Sequence, residues 1–380
     1  MTEKLYYIDS YISEFSASVL SVTPLDNGFL VVLDKTAFFP EEGGQSSDRG
    51  YIGSSRVRHV YENEGTIYHV VDKAPEQNSV FCKVDFEERF DKMQQHTAEH
   101  ILSGVIHKLY GYDNVGFHLG DDIVTFDINH PLTREQLDEI EILANEAVFR
   151  NLKVEAYFPS PDELEDTEYR SKLDLTENVR LVKIGDVDSC ACCAPHLKYT
   201  GEVGLIKCLD FMHHRGGVRI TMCAGKRALL DYREKYRNVR EISAILCEPQ
   251  HTTAEALNRY AKDKERLKLE LKNVRRAYAE SLADTIFSEE NAVIVIDHVE
   301  MDELRDFANK AVNNVKGILV ALMGTDGDYK YIMASQSVDL RQMSKEINSK
   351  LSGRGGGHPQ MIQGSLFVDL NTIKEFFNAK

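Results

Sequence analysis

Between Gln250 and Ser288 the chain has neither glycine nor proline, and Leu257, Tyr260, Lys264, Leu267, Leu271, Val274 and Tyr278 recur at steps of three and four. That alternation is a heptad seam. It predicts a long helix or a coiled-coil hairpin arm, or else an amphipathic helix laid against its own domain. Lys264 on the seam costs stability and restricts register. A segment of this length without a breaker divides the chain into an N-terminal and a C-terminal part.

The 380 residues are enough for two or three domains. Hydrophobic residues at 42% and charged residues at 28% exclude a wholly disordered chain. No apolar run approaches the ~20 residues that span a bilayer, and the N-terminus MTEKLYYIDS carries no signal-peptide pattern. The expectation is a cytoplasmic protein with no membrane partner. The net charge of −16 argues against indiscriminate nucleic-acid binding, yet residues 213–276 hold 16 Lys/Arg against 8 Asp/Glu. That basic stretch suits a phosphate-contacting surface or a solvated helical face.

The first 85 residues read as β-rich, with Phe29-Leu-Val-Val-Leu33 and Val80-Phe-Cys-Lys-Val-Asp85 as strands. A helix is predicted over 86–110, a strand over 124–128 and a second helix over 133–151, with Leu137, Ile140, Leu143, Ala144 and Val148 on one face. Short strands are predicted at 181–184, 203–206 and 217–222. After the long helical segment, apolar runs at 292–296 and 317–322 suit buried strands. A helix over 301–315, a strand over 329–333, a helix near 340–351, a glycine loop and a strand over 366–370 complete the chain. The fold class is α+β in four parts: a barrel-like β-rich subdomain (1–85), an α+β core (86–242), a helical linker (243–287) and a C-terminal α/β domain (288–380).

Two clusters carry chemistry. His96-Thr-Ala-Glu-His100 places imidazoles at i and i+4, one turn apart on a helix face, where both can reach one ion. Cys190-Ala-Cys-Cys-Ala-Pro-His196 gathers thiols and an imidazole on a turn, since Pro195 forbids regular helix. The seven cysteines are odd in number and three crowd into four positions, so a metal site fits better than a disulfide framework. Thiolate plus imidazole suits zinc. Two His from the helix with one Cys and one His from the turn fill a tetrahedral site or leave a position for water. His96-x-x-Glu99-His100 also fits inverted-motif zinc proteases, with Glu99 as general base and a downstream Glu as ligand. Two glycine-rich segments, 36–50 and 353–358, could let backbone approach a ligand; the second has no Gly-Lys-Ser/Thr and is not a nucleotide P-loop.

Taken in order, Thr36-Ala-Phe-Phe-Pro-Glu-Glu-Gly-Gly-Gln-Ser-Ser-Asp-Arg-Gly50, His96-Thr-Ala-Glu-His100, Cys192-Cys-Ala-Pro-His196 and Arg215-Gly-Gly-Val-Arg-Ile220 resemble the editing half of alanyl-tRNA synthetase. They also resemble its freestanding homologues, the long-form AlaX alanyl-tRNA editing proteins. Gly355-Gly-Gly-His-Pro359 and Gln363-Gly364 resemble the DHHA1 domain that comes after the editing domain. The resemblance implies zinc held by His96, His100, Cys192 and His196. It departs at the turn, where the family's Gly-Gly-Thr is Cys193-Ala194-Pro195, and Cys190 and Cys193 are extra thiols able to compete for the metal.

The implied reaction is hydrolysis, in trans, of the ester joining serine or glycine to tRNA(Ala). No aminoacylation domain precedes residue 1, so ATP-dependent charging is not expected. Glu99 is the candidate acid/base, and Gln45, Asp48 and His118 lie in family-like loops as pocket residues. Arg215, Arg219, Arg275, Arg276, Arg354, Gly355, Gly356, Gly357 and His358 are implied tRNA contacts, and the C-terminal region implies a homodimer. A non-enzymatic alternative is a zinc-stabilised tRNA-binding module.

Overall fold

The computed structural model describes residues 1–120, 123–171 and 178–378. They form two compact units, Met1–Val239 and Arg240–Lys380.

The first unit opens with a two-residue strand β1 (Glu3–Lys4) and a helical turn α1 (Leu5–Ile8). Six of the next seven strands close into a barrel: β2 (Glu14–Leu25), β3 (Gly28–Leu33), β5 (Gly50–Ile52), β6 (Ser55–Asn63), β7 (Thr66–Val71) and β8 (Ser79–Val84), ordered β2-β3-β7-β6-β5-β8. The seventh, β4 (Lys35–Thr36), pairs in parallel with β1. Period-two alternation fills the interior: Ile67 and Val71 on β7 and Val80, Cys82 and Val84 on β8 point inward. The barrel-like expectation for this region therefore becomes a closed barrel.

Helix α2 (Phe86–Tyr110) occupies the predicted span, and Gly111 ends it at φ 69°. Its middle is buried on nearly every side, polar residues included: Gln95, His96, Thr97, Glu99, His100 and Ser103 are all inaccessible. It packs against two sheets. One has the order β14-β15-β10-β9, built from β9 (Asn114–Leu119), β10 (Val124–Ile128), β14 (Ile206–His214) and β15 (Gly217–Ala224). The other joins β11 (Val154–Tyr157), β12 (Leu181–Ile184) and β13 (Asp188–Ala191). Helices α3 (Arg134–Phe149) and α4 (Pro161–Asp166) begin at capping boxes, Thr133 with Gln136 and Ser160 with Glu163. A Cβ on Gly104 would lie 2.7 Å from Asp188 Cβ, so the glycine lets β13 approach the histidine helix one turn beyond His100.

One expectation fails in this unit. Residues 203–206 are not a strand: Thr200–Val203 is a 3-10 turn and the strand begins at Ile206, after Gly204 turns the chain at φ 80°. Gly225–Leu246 is a helix, α5; its first part had no predicted element and its last turn falls in the expected helical linker.

In the second unit α6 (Thr253–Ala283) forms the long helix. Its seam residues are not packed on their own domain: Leu257, Tyr260, Leu267, Leu271, Val274 and Tyr278 are each more than half exposed. Beyond it lies a five-stranded sheet of order β16-β17-β18-β20-β19, from β16 (Ala292–Val295), β17 (Leu319–Thr325), β18 (Asp328–Ala334), β19 (Arg354–His358) and β20 (Met361–Leu366). Alternation along β17 feeds two cores. Val320 and Leu322 pack with α8 (Leu340–Lys350) and α9 (Leu370–Asn378), whereas Leu319 and Ala321 pack with α7 (Met301–Ala311) and the end of α6.

Three readings are corrected here. Residues 354–358 are an edge strand rather than a glycine loop, and the missing side chains let β19 lie against β20 and Tyr331, where a Cβ at Gly355 would collide. The strand placed at 366–370 ends at Leu366. Asp369 accepts from Thr372 N at 3.0 Å and starts α9 instead. Of the run 292–296, Ala292–Val295 is strand but half-buried, because β16 is the opposite edge of the sheet, and Ile296 beyond it is buried.

Candidate metal centre and its cavity

His96 and His100 face the turn after β13, where Cys192 and His196 meet them. Cys192 Sγ lies 3.6 Å from His96 Nε2 and 3.4 Å from His196 Nε2, and the four donor atoms fall within 4.8 Å of one another. A tetrahedral zinc with ordinary Zn–S and Zn–N bonds has ligand–ligand edges of about 3.3–3.6 Å, so the donor set and its spacing fit that ion.

Each imidazole is held from behind. His96 Nδ1 donates to Gln45 Oε1 at 2.9 Å, His100 Nδ1 to Asp188 Oδ2 at 3.1 Å, and His196 Nδ1 meets Thr97 Oγ1 at 3.1 Å. With Nδ1 engaged in all three, Nε2 is the nitrogen left for a metal. Arg170 in turn clamps Asp188, Nε to Oδ1 at 2.8 Å and Nη2 to Oδ2 at 2.9 Å.

The electrostatics favour the ligating forms of Cys192 and His196, whereas His100 has to give up a proton to ligate. Burial opposes ionisation of Cys192, but His96 and His196 beside the sulfur and hydrogen bonds from His100 and His196 hold the thiol well below its ordinary value. Burial pushes His196 down to about 3, a neutral imidazole at neutral pH. His100 is depressed by burial, yet its bonds to Asp188 and Cys192 raise it well above the usual range. The neighbouring thiols differ: burial pushes Cys190 up to about 11 and raises Cys193 as well. Cys190 forms a second, smaller cluster with Asp188 and the shared His100. Neither Cys190 nor Cys193 belongs to the four-donor group.

The cluster forms part of the wall of a cavity of about 820 Å³, with Tyr7, Glu42, Glu99, Phe158, Arg170 and Arg180 among the other lining residues. Glu99 is 3% exposed, and its Oε1 accepts from Ser103 Oγ and Asn114 Nδ2. The four-donor group contains no glutamate, whereas the inverted-motif protease pattern requires one.

The residues expected to shape the pocket are placed otherwise. Gln45 stands behind His96. Asp48 is buried under Phe39, whose N–H donates to it at 2.6 Å, and is paired with Arg89. His118 is exposed on β9. None of the three lines the cavity. Of the basic residues, Arg215 is exposed at the β14–β15 turn with φ 47°, while Arg219 is tied to Asp127 by bonds of 2.7 and 2.8 Å. In the second unit Arg275 pairs with Glu300 and Arg276 with Asp306. Arg354 lies over the Phe367 ring, and Gly355, Gly356, Gly357 and His358 continue the edge strand. Asp188, Arg170 and Arg180 escaped the sequence reading.

Comparison with known proteins is consistent with this geometry. The model of the threonyl and alanyl tRNA synthetase second additional domain matches residues 179–225, spanning Arg180, Cys192 and His196, and the DHHA1 domain matches residues 289–379. The chain is 30% identical to alanyl-tRNA editing protein AlaX-L of Pyrococcus horikoshii, over 96% of this chain and 94% of that protein. It is 32% identical to alanine–tRNA ligase of Halorubrum lacusprofundi and 31% identical to that of Ignicoccus hospitalis, spanning 42% and 40% of those longer proteins.

Proposed function

The chain belongs to the long-form alanyl-tRNA editing protein family, and we propose that it is a trans-acting, zinc-dependent deacylase hydrolysing serine, and also glycine, from mischarged tRNA(Ala). The observation that carries this reading is the four-donor cluster His96, His100, Cys192 and His196, of which His96, His100 and Cys192 line a cavity large enough for an aminoacyl ester. When bound, zinc supplies a Lewis-acidic point against which the aminoacyl group is oriented.

The chain's own residues do the rest. Gln45, Thr97 and Asp188 fix the imidazoles. Glu99, immobilised through Oε1 by Ser103 and Asn114, is the acid/base that takes the proton of the attacking water and returns it to the leaving ribose oxygen. A second site has a physical reason: a synthetic pocket shaped for alanine rejects a missing methyl or an added hydroxyl by only about 1–3 kcal/mol.

Exposed Arg215 and Arg354, neither in an ion pair among the described residues, and the Gly355–Gly357 edge backbone with His358 contact the tRNA. Arg219, Arg275 and Arg276 join by exchanging their carboxylate partners for phosphate. The exposed α6 seam is covered by a second copy, giving a homodimer. Sedimentation of wild type against Leu267→Glu/Leu271→Glu tests this, with a monomeric wild type the contrary result. Among the described residues no helix is long and apolar enough to cross a membrane. We place the enzyme in the cytoplasm, where its substrate arises.

The test is release of amino acid from seryl-, glycyl- and alanyl-tRNA(Ala) by protein of measured zinc content, beside His100→Ala and Cys192→Ala. Loss of serine with alanine spared, abolished in both variants, is the expected result. Zinc-replete protein that leaves all three esters intact overturns it in favour of a tRNA-binding module, and peptide cleavage favours the protease.

A further inference from the structure

Among the described residues three lysine and arginine side chains line the metal cavity, and two are already neutralised: Lys4 by Glu62 at 2.8 Å and Arg170 by Asp188. Arg180 is different. It is 6% exposed, and Nη1 donates to the carbonyl oxygens of Cys192 at 3.0 Å and Ala194 at 2.9 Å. Its guanidinium stands 5.1 Å from the Tyr7 ring centre, and Nε has no hydrogen-bond partner. Among the described residues no carboxylate lies within ion-pair distance of it.

A guanidinium has five N–H donors and no neutral form at physiological pH. Burying one against two carbonyls and a ring, with a donor unmet and, among the described residues, no anion beside it but the Cys192 thiolate that zinc would take up, is unfavourable unless a further anion arrives. The two carbonyls belong to the turn that carries Cys192 and His196, so the anion would lie beside the metal ligands.

We propose that Arg180 is a substrate-binding residue that receives an anionic oxygen of the ester substrate in this cavity. The inference rests on the deacylase reading for the identity of that substrate. Two oxygens share the chemistry: the phosphodiester of the terminal nucleotide, and the oxyanion formed when water adds to the ester carbonyl.

The experiment compares wild type with Arg180→Lys and Arg180→Gln, all normalised to bound zinc. Two kinetic substrates are used, seryl-tRNA(Ala) and a phosphate-free seryl-adenosine ester, and equilibrium binding of adenosine 5′-monophosphate and adenosine is measured separately. If the oxygen is phosphodiester, wild type binds the monophosphate at least tenfold tighter than adenosine. Arg180→Gln then abolishes that preference and raises KM for the tRNA alone. If it is the oxyanion, the two nucleosides bind alike and kcat falls on both substrates, by about 10²–10³-fold. Lysine, which keeps the charge without the fork, restores part of either effect. The proposal is overturned if both variants keep wild-type constants per bound zinc, or if their losses vanish on that normalisation, which would make Arg180 only a brace for the turn. Wild-type discrimination between the nucleosides without deacylation would sink the deacylase reading and leave the anion site standing.

Discussion

Asp188 accepts the Nδ1 proton of His100 at 3.1 Å while Arg170 holds both of its carboxylate oxygens. Burial would raise the Asp188 carboxyl, but the bonds from His100 and Arg170 keep it below its usual range, so the orienting group is an anion. A carboxylate behind a metal-binding imidazole fixes the tautomer and raises ligand basicity.

Asp188→Asn is therefore expected to weaken zinc binding by about 10–100-fold, the usual cost of losing such a partner, with the fold intact. Competition with a chromogenic chelator measures it. Gly104→Ala should act in the same direction, because the added methyl meets Asp188. Unchanged zinc affinity in both variants would show that the contact does not matter to the metal.

The three crowded thiols should separate cleanly. Cys192 lies with the imidazoles and is held as thiolate, whereas burial keeps Cys190 and Cys193 protonated. Zinc per chain should fall to near zero in Cys192→Ala and stay near one in Cys190→Ala and Cys193→Ala. Loss of zinc from Cys190→Ala alone would move the site to the smaller cluster around His100 and Asp188.

The four-donor cluster was legible because its signals are local. His96 and His100 are one helical turn apart, and Cys192 and His196 sit on one proline-bearing turn. Their supporting partners were not. Asp188 reaches His100 across 88 positions and Gln45 reaches His96 across 51; such pairs depend on sheet register and on the close approach at Gly104, which no local pattern encodes. The same limit misplaced the glycines of 354–358, since residues without side chains carry no alternation to mark a strand. Their register comes from β20. At the chain end, apolar Phe367 and Val368 suggested a strand through Leu370, and the signal that wins is the Asp369 cap.

Asp48 should prove to be a clamp. Arg89 donates Nε to both of its oxygens at 2.9 Å and also holds the carbonyls of Ala37 at 2.6 Å and Ser10 at 3.1 Å, the last bond part-buried and the others buried. Removing one partner of a buried pair leaves an uncompensated charge and costs about 3–5 kcal/mol. Asp48→Ala should lose that much in urea unfolding, and Asp48→Leu/Arg89→Met considerably less, with zinc content per folded molecule unchanged in both. A stable Asp48→Ala with impaired turnover would return Asp48 to the pocket.

Acid should weaken the barrel through His69. Its Nδ1 donates to Val31 O at 3.0 Å, and its Nε2 accepts from Thr36 Oγ1 at 2.9 Å, which itself accepts from Phe38 N at 3.1 Å. That chain of bonds requires a neutral imidazole, and burial pushes His69 down to about 4 from an unfolded value of 6.5. The sign comes from proton counting: between those values the unfolded chain binds a proton that the folded barrel does not. The stabilisation is whole above pH 6.5 and falls as pH drops towards 4, below which both states are protonated and no more is lost. The fall from 6.5 to about 4 corresponds to about 3 kcal/mol. Urea unfolding of wild type between pH 7 and 4 should show this loss superimposed on the carboxylate background. His69→Gln, less stable at pH 7 but carrying no proton to exchange, should show a slope smaller by that amount. Parallel slopes in the two proteins would mean that His69 does not titrate in this window.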